Sequence, residues 1–205
     1  MTPPLHRSIR ALHTPTTITV YQAFPPAIAS AALAAGTFVP PFKRTRMTWI
    51  KPSFTWMAYR SGYASKDNQE RVLAVEMTRD GFEWALRNAV LSHWGEGEVY
   101  ASEEEWRRVK DGSCVRVQWD PERDVYIRNA LGWRSLQVGL TGEAVDRYLD
   151  EWIVGIQDVT ELMVRVGQLV AEGKADEARA LLPEERPYTL PDGVARGIGM
   201  TMPGQ

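Results

Sequence analysis

The sequence predicts an α+β protein with a mixed, mainly antiparallel central sheet, flanking helices and a C-terminal helical portion. Short β-branched and aromatic runs, such as residues 16–24 and 70–78, alternate with Ala-rich or amphipathic segments through the first two-thirds of the chain. Helical periodicity then dominates from residue 142 onward. The 205 residues are 44% hydrophobic and 24% charged, which is an ordinary globular composition and enough chain for one sizeable core.

The first third of the chain predicts two strand–helix pairs. Residues 16–24 (TTITVYQAF) are β-branched and aromatic, which favours a strand. Residues 25–36 begin with proline and end with glycine, which frames a short helix, and the prolines of 37–42 keep that segment extended. We expect a second strand over 46–51 and a second helix over 52–62, with proline in its first turn and glycine as its stop.

The middle of the chain predicts three further strands and two helices. The nearly continuous apolar run in 70–78 is typical of a central strand. Residues 79–91 and 102–112 have the periodicity of amphipathic helices. The second segment also has acidic residues in its first turn and basic residues in its last turn, which favours a helix. We expect strands over 113–121 and 134–142.

The C-terminal portion predicts helices over 142–156, 160–173 and 175–183. Beyond them the chain loses its periodicity, and its first residues are rich in Pro, His and Arg. We therefore expect an N-terminal arm, a single α+β domain and a flexible tail, over residues 1–15, 16–191 and 192–205.

Composition argues against several classes of protein. A single cysteine, Cys114, excludes an internal disulfide and fits a reducing cytoplasm. We expect no membrane span, because no run of about 18 apolar residues occurs. We also expect no metal site, since three histidines and one cysteine lack ligand-like spacing. Neither the dinucleotide fingerprint G-x-G-x-x-G nor the P-loop pattern is present.

The charges are distributed unevenly along the chain. Residues 1–66 contain eight basic residues and no Asp or Glu, whereas the remainder contains 16 basic and 26 acidic residues. Such asymmetry favours a positive field directed at a polyanion or a phosphorylated ligand. The alternative is that the acidic remainder folds around the basic third and pairs with it, and both interpretations can hold together.

The most basic stretch is residues 43–60 (KRTRMTWIKPSFTWMAYR), with five cations, two tryptophans and no acid. On a strand, Trp49 and Lys51 share one face, so the indole can stack a planar base or nicotinamide while the cation holds a phosphate. Ser53 lies at the start of the following helix, where free backbone N–H groups favour anions. The alternative is a core tryptophan beside a snorkelling lysine.

Two other strands carry candidate residues. Tyr21 and Gln22 are adjacent on the first strand and point to opposite faces, so one belongs to the core and the other to a cleft or to solvent. After the strand 113–121, Gln118 or Glu122 could position a ligand or act in catalysis. The alternative for this second group is a local ion-pair network.

These blocks resemble a bacterial and fungal family known as domain of unknown function 4291. The resemblance rests on ITVYQAF, FVPPFKRTRMTWIKPSFTWMAYRSG, ERVLAV, VRVQWDPERD and RSLQVGLTGEAVDRYLDEWIVGIQDVT. It covers residues 9–191. The family name implies no mechanism.

A weaker resemblance is to the ADP-ribosyltransferase-like fold and, within it, to RNA 2′-phosphotransferases. By that resemblance Gln22 occupies the position of the first histidine of the motif. Trp49 and Lys51 occupy the positions of two later histidines, and Ser53 that of the serine. The usual glutamate is absent from the start of the late strand, and Glu122 follows later. The resemblance implies NAD as substrate without a metal, with Gln22, Lys51 and Glu122 as catalytic candidates. Those for NAD binding are Tyr21, Arg44, Arg46, Trp49, Ser53 and Arg60.

Three functional hypotheses follow. The first is an ADP-ribosyltransferase-like enzyme that uses NAD and modifies a nucleic-acid or phosphorylated acceptor. The second is a non-catalytic nucleic-acid-binding module with a basic, tryptophan-containing groove. The third is a structural domain in which all the cations are paired internally.

Overall fold

The structure is a computed structural model that describes residues 4–96, 98–128, 130–202 and 204, and it has the predicted α+β class. The described strands are β1 (Arg10–Ala11), β2 (Thr17–Phe24), β3 (Thr48–Ile50), β4 (Arg71–Thr78), β5 (Ala89–Leu91), β6 (Val115–Arg123), β7 (Ala130–Leu140), β8 (Ile153–Asp158) and β9 (Arg186–Pro187). The helices are α1 (Pro26–Ala35), α2 (Phe54–Ser61), α3 (Arg79–Arg87), α4 (Glu103–Gly112), α5 (Glu143–Arg147), α6 (Thr160–Ala171), α7 (Ala175–Ala180) and α8 (Asp192–Gly197). A π-helical turn, Tyr148–Trp152, continues α5.

The strands form two main sheets where the sequence predicted one central sheet. One sheet has the order β2-β4-β8 and is antiparallel, with β4 central as predicted. The other has the order β3-β7-β6-β5, in which only β5 and β6 pair in parallel. The sheets meet where Tyr21 and Lys51 exchange backbone hydrogen bonds of 2.7 and 3.3 Å. This bridge brings β2 alongside β3.

Residues of the expected arm and tail lie in the main core. Ile9 and Ala11 are buried, and β1 pairs with β9 near the other end of the chain. In the tail, Ala195 and Ile198 are three residues apart on and beside α8, so both face inward and are buried. The indole of Trp119 donates to the carbonyl oxygen of Ile198 at 2.7 Å. Apolar residues of the expected arm and of the expected tail therefore pack into the main core.

Two predicted helices end earlier than expected. Helix α3 stops at Arg87, and the following residues Ala89–Leu91 pair in parallel with β6. The helix predicted over 142–156 stops at Trp152, and Ile153–Asp158 pairs with β4. In both cases an available sheet edge competes successfully with local helical periodicity.

Gly142 forms part of the turn between β7 and α5. Its φ of 52° is in the left-handed region, and it caps α5 directly after β7. None of the helices in the described ranges combines the length and the apolar character needed to cross a bilayer.

Candidate functional site

A cavity of about 580 Å³ lies at the junction of the two sheets, beside β2, β3 and α2. Its polar lining consists mainly of amides, with two indoles and two cations. The described lining residues include no Asp or Glu. The amides are Gln22, Asn68, Gln69, Gln118 and Gln137, the indoles Trp49 and Trp56, and the cations Lys51 and Arg60.

Lys51 is neutralised from within the protein, against the expectation of an open ammonium group. Its side chain is 1% exposed, and Nζ lies 3.1 Å from Oδ2 of Asp120. Nζ also donates to the carbonyl oxygen of Ser135 at 3.1 Å and lies 4.1 Å from the centroid of the Trp56 ring. Burial lowers the pKa of Lys51, and the carboxylate of Asp120 opposes that shift. Two hydrogen bonds and one cation–π contact therefore engage the ammonium group inside the protein.

Asp120 connects Lys51 to the amide lining of the cavity. Its second oxygen, Oδ1, accepts a hydrogen bond of 2.8 Å from Nε2 of Gln118. Residues 118 and 120 alternate along β6 and therefore share a face of the sheet, on which Gln118 lines the cavity. The Gln118 amide is consequently held in one orientation at the cavity wall.

Gln22 is buried and its amide is fully hydrogen-bonded inside the protein. Nε2 donates to Oγ1 of Thr48 at 2.7 Å and to the carbonyl oxygen of Trp49 at 3.1 Å. Oε1 accepts from the hydroxyl of Tyr148 at 2.9 Å. The side chain therefore fixes the backbone that carries Trp49, and no amide hydrogen remains to act as a proton donor to a ligand.

Trp49 lies across a glycine of the neighbouring strand. A Cβ atom on Gly139 would be 2.9 Å from two ring atoms of Trp49 and 3.0 Å from Sδ of Met47. Such an approach is possible only where residue 139 has no side chain. A glycine within the predicted strand 134–142 was visible in the sequence, but the sequence did not identify Trp49 as the residue packed against it.

The N-terminus of α2 is occupied by carboxylates of the chain itself, which corrects the assignment of Ser53 to a ligand anion. The hydroxyl of Ser53 donates to Oε1 of Glu122 at 2.8 Å and accepts from the N–H of Trp56 at 3.1 Å. The N–H of Phe54 donates to Oε1 of Glu185 at 2.7 Å. Burial and the nearby carboxylate of Glu122 raise the pKa of Glu185 to about 8.

The same geometry places Glu122 away from the cavity lining. It is 7% exposed, and it also accepts from the backbone N–H of Arg123 at 2.9 Å. The pairing of β6 is irregular between Pro121 and Arg123, and Glu122 contacts the start of α2 through Ser53. Asp120 is instead linked to the cavity residues Lys51 and Gln118 through hydrogen bonds, and Glu70 accepts from the backbone N–H of Asn68 at 2.9 Å.

Two expected ligand-binding residues are used elsewhere. Tyr21 is buried beside Phe54, with the rings edge-to-face at 5.4 Å, and burial raises the pKa of its hydroxyl well above the ordinary value. Tyr21 therefore lies in the core and Gln22 lines the cavity, which is one of the two orientations that alternation along a strand allows. Arg44 is exposed and pairs with Asp146 and Asp150 at 3.1 and 2.6 Å.

The remaining two candidates lie at different cavities. Arg60 is exposed at the main cavity. Arg46 lines a second cavity of about 250 Å³, which shares Phe24, Met47 and Thr48 with the first. No carboxylate in the described part of the chain forms an ion pair with Arg46 or Arg60.

The main cavity thus brings together only part of the expected set. Lining it are Gln22, Trp49, Lys51 and Arg60. Gln118 was predicted as an alternative to Glu122. Nothing in the local sequence indicated a site role for Asp120 beyond a local ion-pair network. Asn68 and Gln69 had no pattern that indicated a site, because they follow α2 in an irregular segment. Within the described ranges, no group of three or more His, Cys, Asp or Glu residues is arranged to hold a metal ion.

A comparison with known families agrees with the resemblance in the sequence. The family described as "Domain of unknown function (DUF4291)" matches residues 8–188. The chain belongs to this family. No curated protein matches it. In this DUF4291 protein every residue of the main cavity, and Glu185 beside α2, falls inside the matched range.

Proposed function

We propose that this DUF4291 protein binds NAD in the main cavity and transfers the ADP-ribose group to a phosphorylated or nucleic-acid acceptor. One observation carries the proposal. Gln22, Trp49 and Lys51, the positions that the resemblance aligns with the three histidines of RNA 2′-phosphotransferases, line one cavity. Gln22 lies on β2, Trp49 lies on β3 of the other sheet and Lys51 directly follows β3, so their meeting is a property of the fold.

The size and lining of the cavity suit a dinucleotide. A volume of about 580 Å³ lies within the range typical of small-molecule and cofactor sites. The exposed part of Trp49 offers a face for a nicotinamide or adenine ring. Amides both donate and accept, so Gln118 and Gln137 can pair with the carboxamide or with ribose hydroxyls.

Arg60 is the cation best placed to meet the pyrophosphate. Lys51 already shares its charge with Asp120, so that pair contributes little net positive charge. Arg60 stands exposed at the rim, and among the described residues no acid pairs with it. A guanidinium with free N–H groups is suited to bidentate contact with a phosphate.

The chemistry that such a site must support is breakage of the bond between nicotinamide and ribose C1′. The electron pair of that bond leaves with nicotinamide, and an acceptor oxygen forms the new bond to C1′ while its proton passes to solvent. Positive charge develops on the ribose during bond breakage. Asp120 orients the Gln118 amide through a hydrogen bond, and Gln22 holds the backbone of Trp49, so that both side chains are positioned before NAD binds.

Calorimetric titration with NAD, together with chromatographic detection of released nicotinamide, tests the proposal. We expect saturable NAD binding that Trp49→Ala weakens at least tenfold, while Trp94→Ala, an exposed tryptophan outside the cavity, leaves it unchanged. Absence of NAD binding, or equal effects of the two substitutions, would refute it.

The runner-up function, nucleic-acid binding without turnover, is favoured by the exposed cations beside the second cavity. It predicts binding of oligonucleotides and no release of nicotinamide under any acceptor condition. Cys114, the single cysteine, fits a reducing compartment, and we propose the cytoplasm as the location of either function.

A further inference from the structure

The second cavity continues the main cavity along the edge of β3. Its volume is about 250 Å³, and Met47 and Thr48 form the wall that the two cavities share. Both cavities contain two cations and share Phe24, but amides and indoles dominate the main cavity, whereas the second adds Phe42, Ile28 and Pro41. The two cavities therefore offer different chemistry to adjacent parts of a ligand.

The cations of the second cavity lie in a turn that is anchored by its central arginine. Lys43 and Arg46 are the ends of the turn, which the N–H of Arg46 closes by donating to the carbonyl oxygen of Lys43 at 3.2 Å. Between them, Arg44 pairs with Asp146 and Asp150. Lys43 and Arg46 are exposed, and no ion pair joins either of them to a described carboxylate. The turn is fixed while both cations stay available.

The aromatic wall of this cavity is held rigidly from behind. Phe38 is 1% exposed, and its ring centroid lies 5.1 Å from that of Phe24 and 5.0 Å from that of Phe42. Phe24 and Phe42 are half-buried and face each other edge-to-face at 6.0 Å. A ring that is already immobilised loses little entropy when a ligand stacks on it.

We propose that the second cavity binds one nucleotide of a single-stranded nucleic acid. The base contacts the half-buried rings of Phe24 and Phe42, and the flanking phosphates contact Lys43 and Arg46. An apolar ligand would leave the two cations unused, and a small anion would leave the rings unused. Stacking rings combined with a positive groove is the combination that binds unpaired strands.

The shared wall gives this site its functional meaning. A strand held at the Lys43–Arg46 turn lies next to the main cavity, because Met47 and Thr48 border both. The role of the strand as the acceptor of ADP-ribose rests on the proposed function. The binding itself does not, so it is measured without NAD.

Fluorescence anisotropy with a labelled thymidine DNA 12-mer and the matching uridine RNA 12-mer tests the site. We expect at least one of them to bind at low salt, and K43A/R46A to weaken binding about tenfold or more. The slope of log affinity against log salt should become shallower by roughly one to two. Phe42→Leu should weaken binding about fivefold, because aliphatic contact replaces stacking.

The matched control is R108A/R165A, which removes two exposed cations that form no ion pair with a described carboxylate and changes the net charge equally. Binding should be nearly unchanged in this control. The arms with DNA and RNA show whether the 2′-hydroxyl matters. A difference between them specifies the strand and leaves the proposal supported.

Three results would overturn the proposal: no binding of either strand, equal loss in K43A/R46A and in the control, or equal binding of a duplex of the same sequence. In the first case, a loss of NAD affinity in K43A/R46A would assign the cavity to the adenylate end of NAD. Oligonucleotide binding in a protein that does not bind NAD would refute the proposed function and leave this inference standing.

Discussion

The ammonium group of Lys51 lies 3.1 Å from the carboxylate of Asp120, in the interior where the two sheets meet. Lys51 belongs to the third of the chain that has no acid, and Asp120 to the acid-rich remainder. Arg44 pairs across the same division with Asp146 and Asp150. The charge asymmetry of the sequence is therefore partly neutralised by folding, and Lys43, Arg46 and Arg60 are cations that it leaves exposed.

Replacing Lys51 tests how much the protein depends on this pair. We expect Lys51→Met to lower the free energy of unfolding by about 3 kcal/mol. The charge of the Asp120 carboxylate is left uncompensated, and the carbonyl oxygen of Ser135 loses the hydrogen bond from Lys51. Urea denaturation measures the change. The double variant K51M/D120N should recover part of the loss, and Lys43→Met, at an exposed lysine, should stay within about 0.5 kcal/mol of wild type. A loss as small as that of Lys43→Met would show that the pair is dispensable.

A methyl group at residue 139 should displace the indole of the cavity. In Gly139→Ala the new Cβ would lie 2.9 Å from the Trp49 ring, so ring or strand must shift, at a cost of about 2 kcal/mol. Gly132→Ala is the matched control, since residue 132 is in the same strand and a Cβ there meets nothing within 4 Å. Chemical denaturation of both variants decides the point, and equal stabilities would contradict the packing described for Trp49.

Glu185 should make stability fall as pH rises. Its pKa is raised from 4.5 to about 8, chiefly by burial and then by Glu122, against the opposing charges of Arg10 and Lys51. The folded protein therefore holds the proton more tightly, and the stability present below pH 4.5 is lost progressively toward pH 8.

Neutral glutamine at position 185 should remove this pH dependence. Its amide oxygen can still accept from the N–H of Phe54, so we expect Glu185→Gln to be more stable than wild type at pH 8, by about 2 kcal/mol. Thermal or urea unfolding between pH 5 and pH 8 gives the comparison. Glu184→Gln, at the exposed neighbour, should keep the wild-type profile, and an unchanged profile in Glu185→Gln would assign the pH dependence to other groups.

Ser53 should contribute more to stability than an ordinary helix cap. Ser53→Ala removes the cap of α2 and a donor to the buried Glu122, so we expect a loss of about 2 kcal/mol. Ser102→Ala removes one cap bond, to the N–H of Glu105, from the exposed helix α4, and should cost about 0.5–1 kcal/mol. Similar losses in the two variants would mean that the contact with Glu122 adds nothing.

Local pattern predicted most elements because local interactions determine them. The prolines and glycines around α1 and α2, and the alternation in β2 and β6, depend on residues close in sequence. The short strand β5 and the strand β8 were missed, since each depends on a sheet edge supplied by distant residues. Helical periodicity alone could not reveal that edge.

The candidate site was likewise predictable only in part from the sequence. Gln22, Trp49, Lys51 and Arg60 were identifiable from residue type, and strand alternation limited Tyr21 and Gln22 to opposite faces. Nothing in the local pattern connects Glu185 to Phe54 across 131 residues, or pairs Lys51 with Asp120 across 69. Those contacts exist because the two sheets and the C-terminal segment converge on α2.

The sequence by itself determined the α+β class, the membership of the DUF4291 family and the concentration of positive charge before residue 67. Only the tertiary structure decided which of these charges stay available: Lys51 and Arg44 meet carboxylates, whereas Lys43, Arg46 and Arg60 stay exposed. The physical reason is that composition and periodicity act over a few residues, while neutralisation of a charge requires two groups within about 4 Å in space, however far apart they are in the chain.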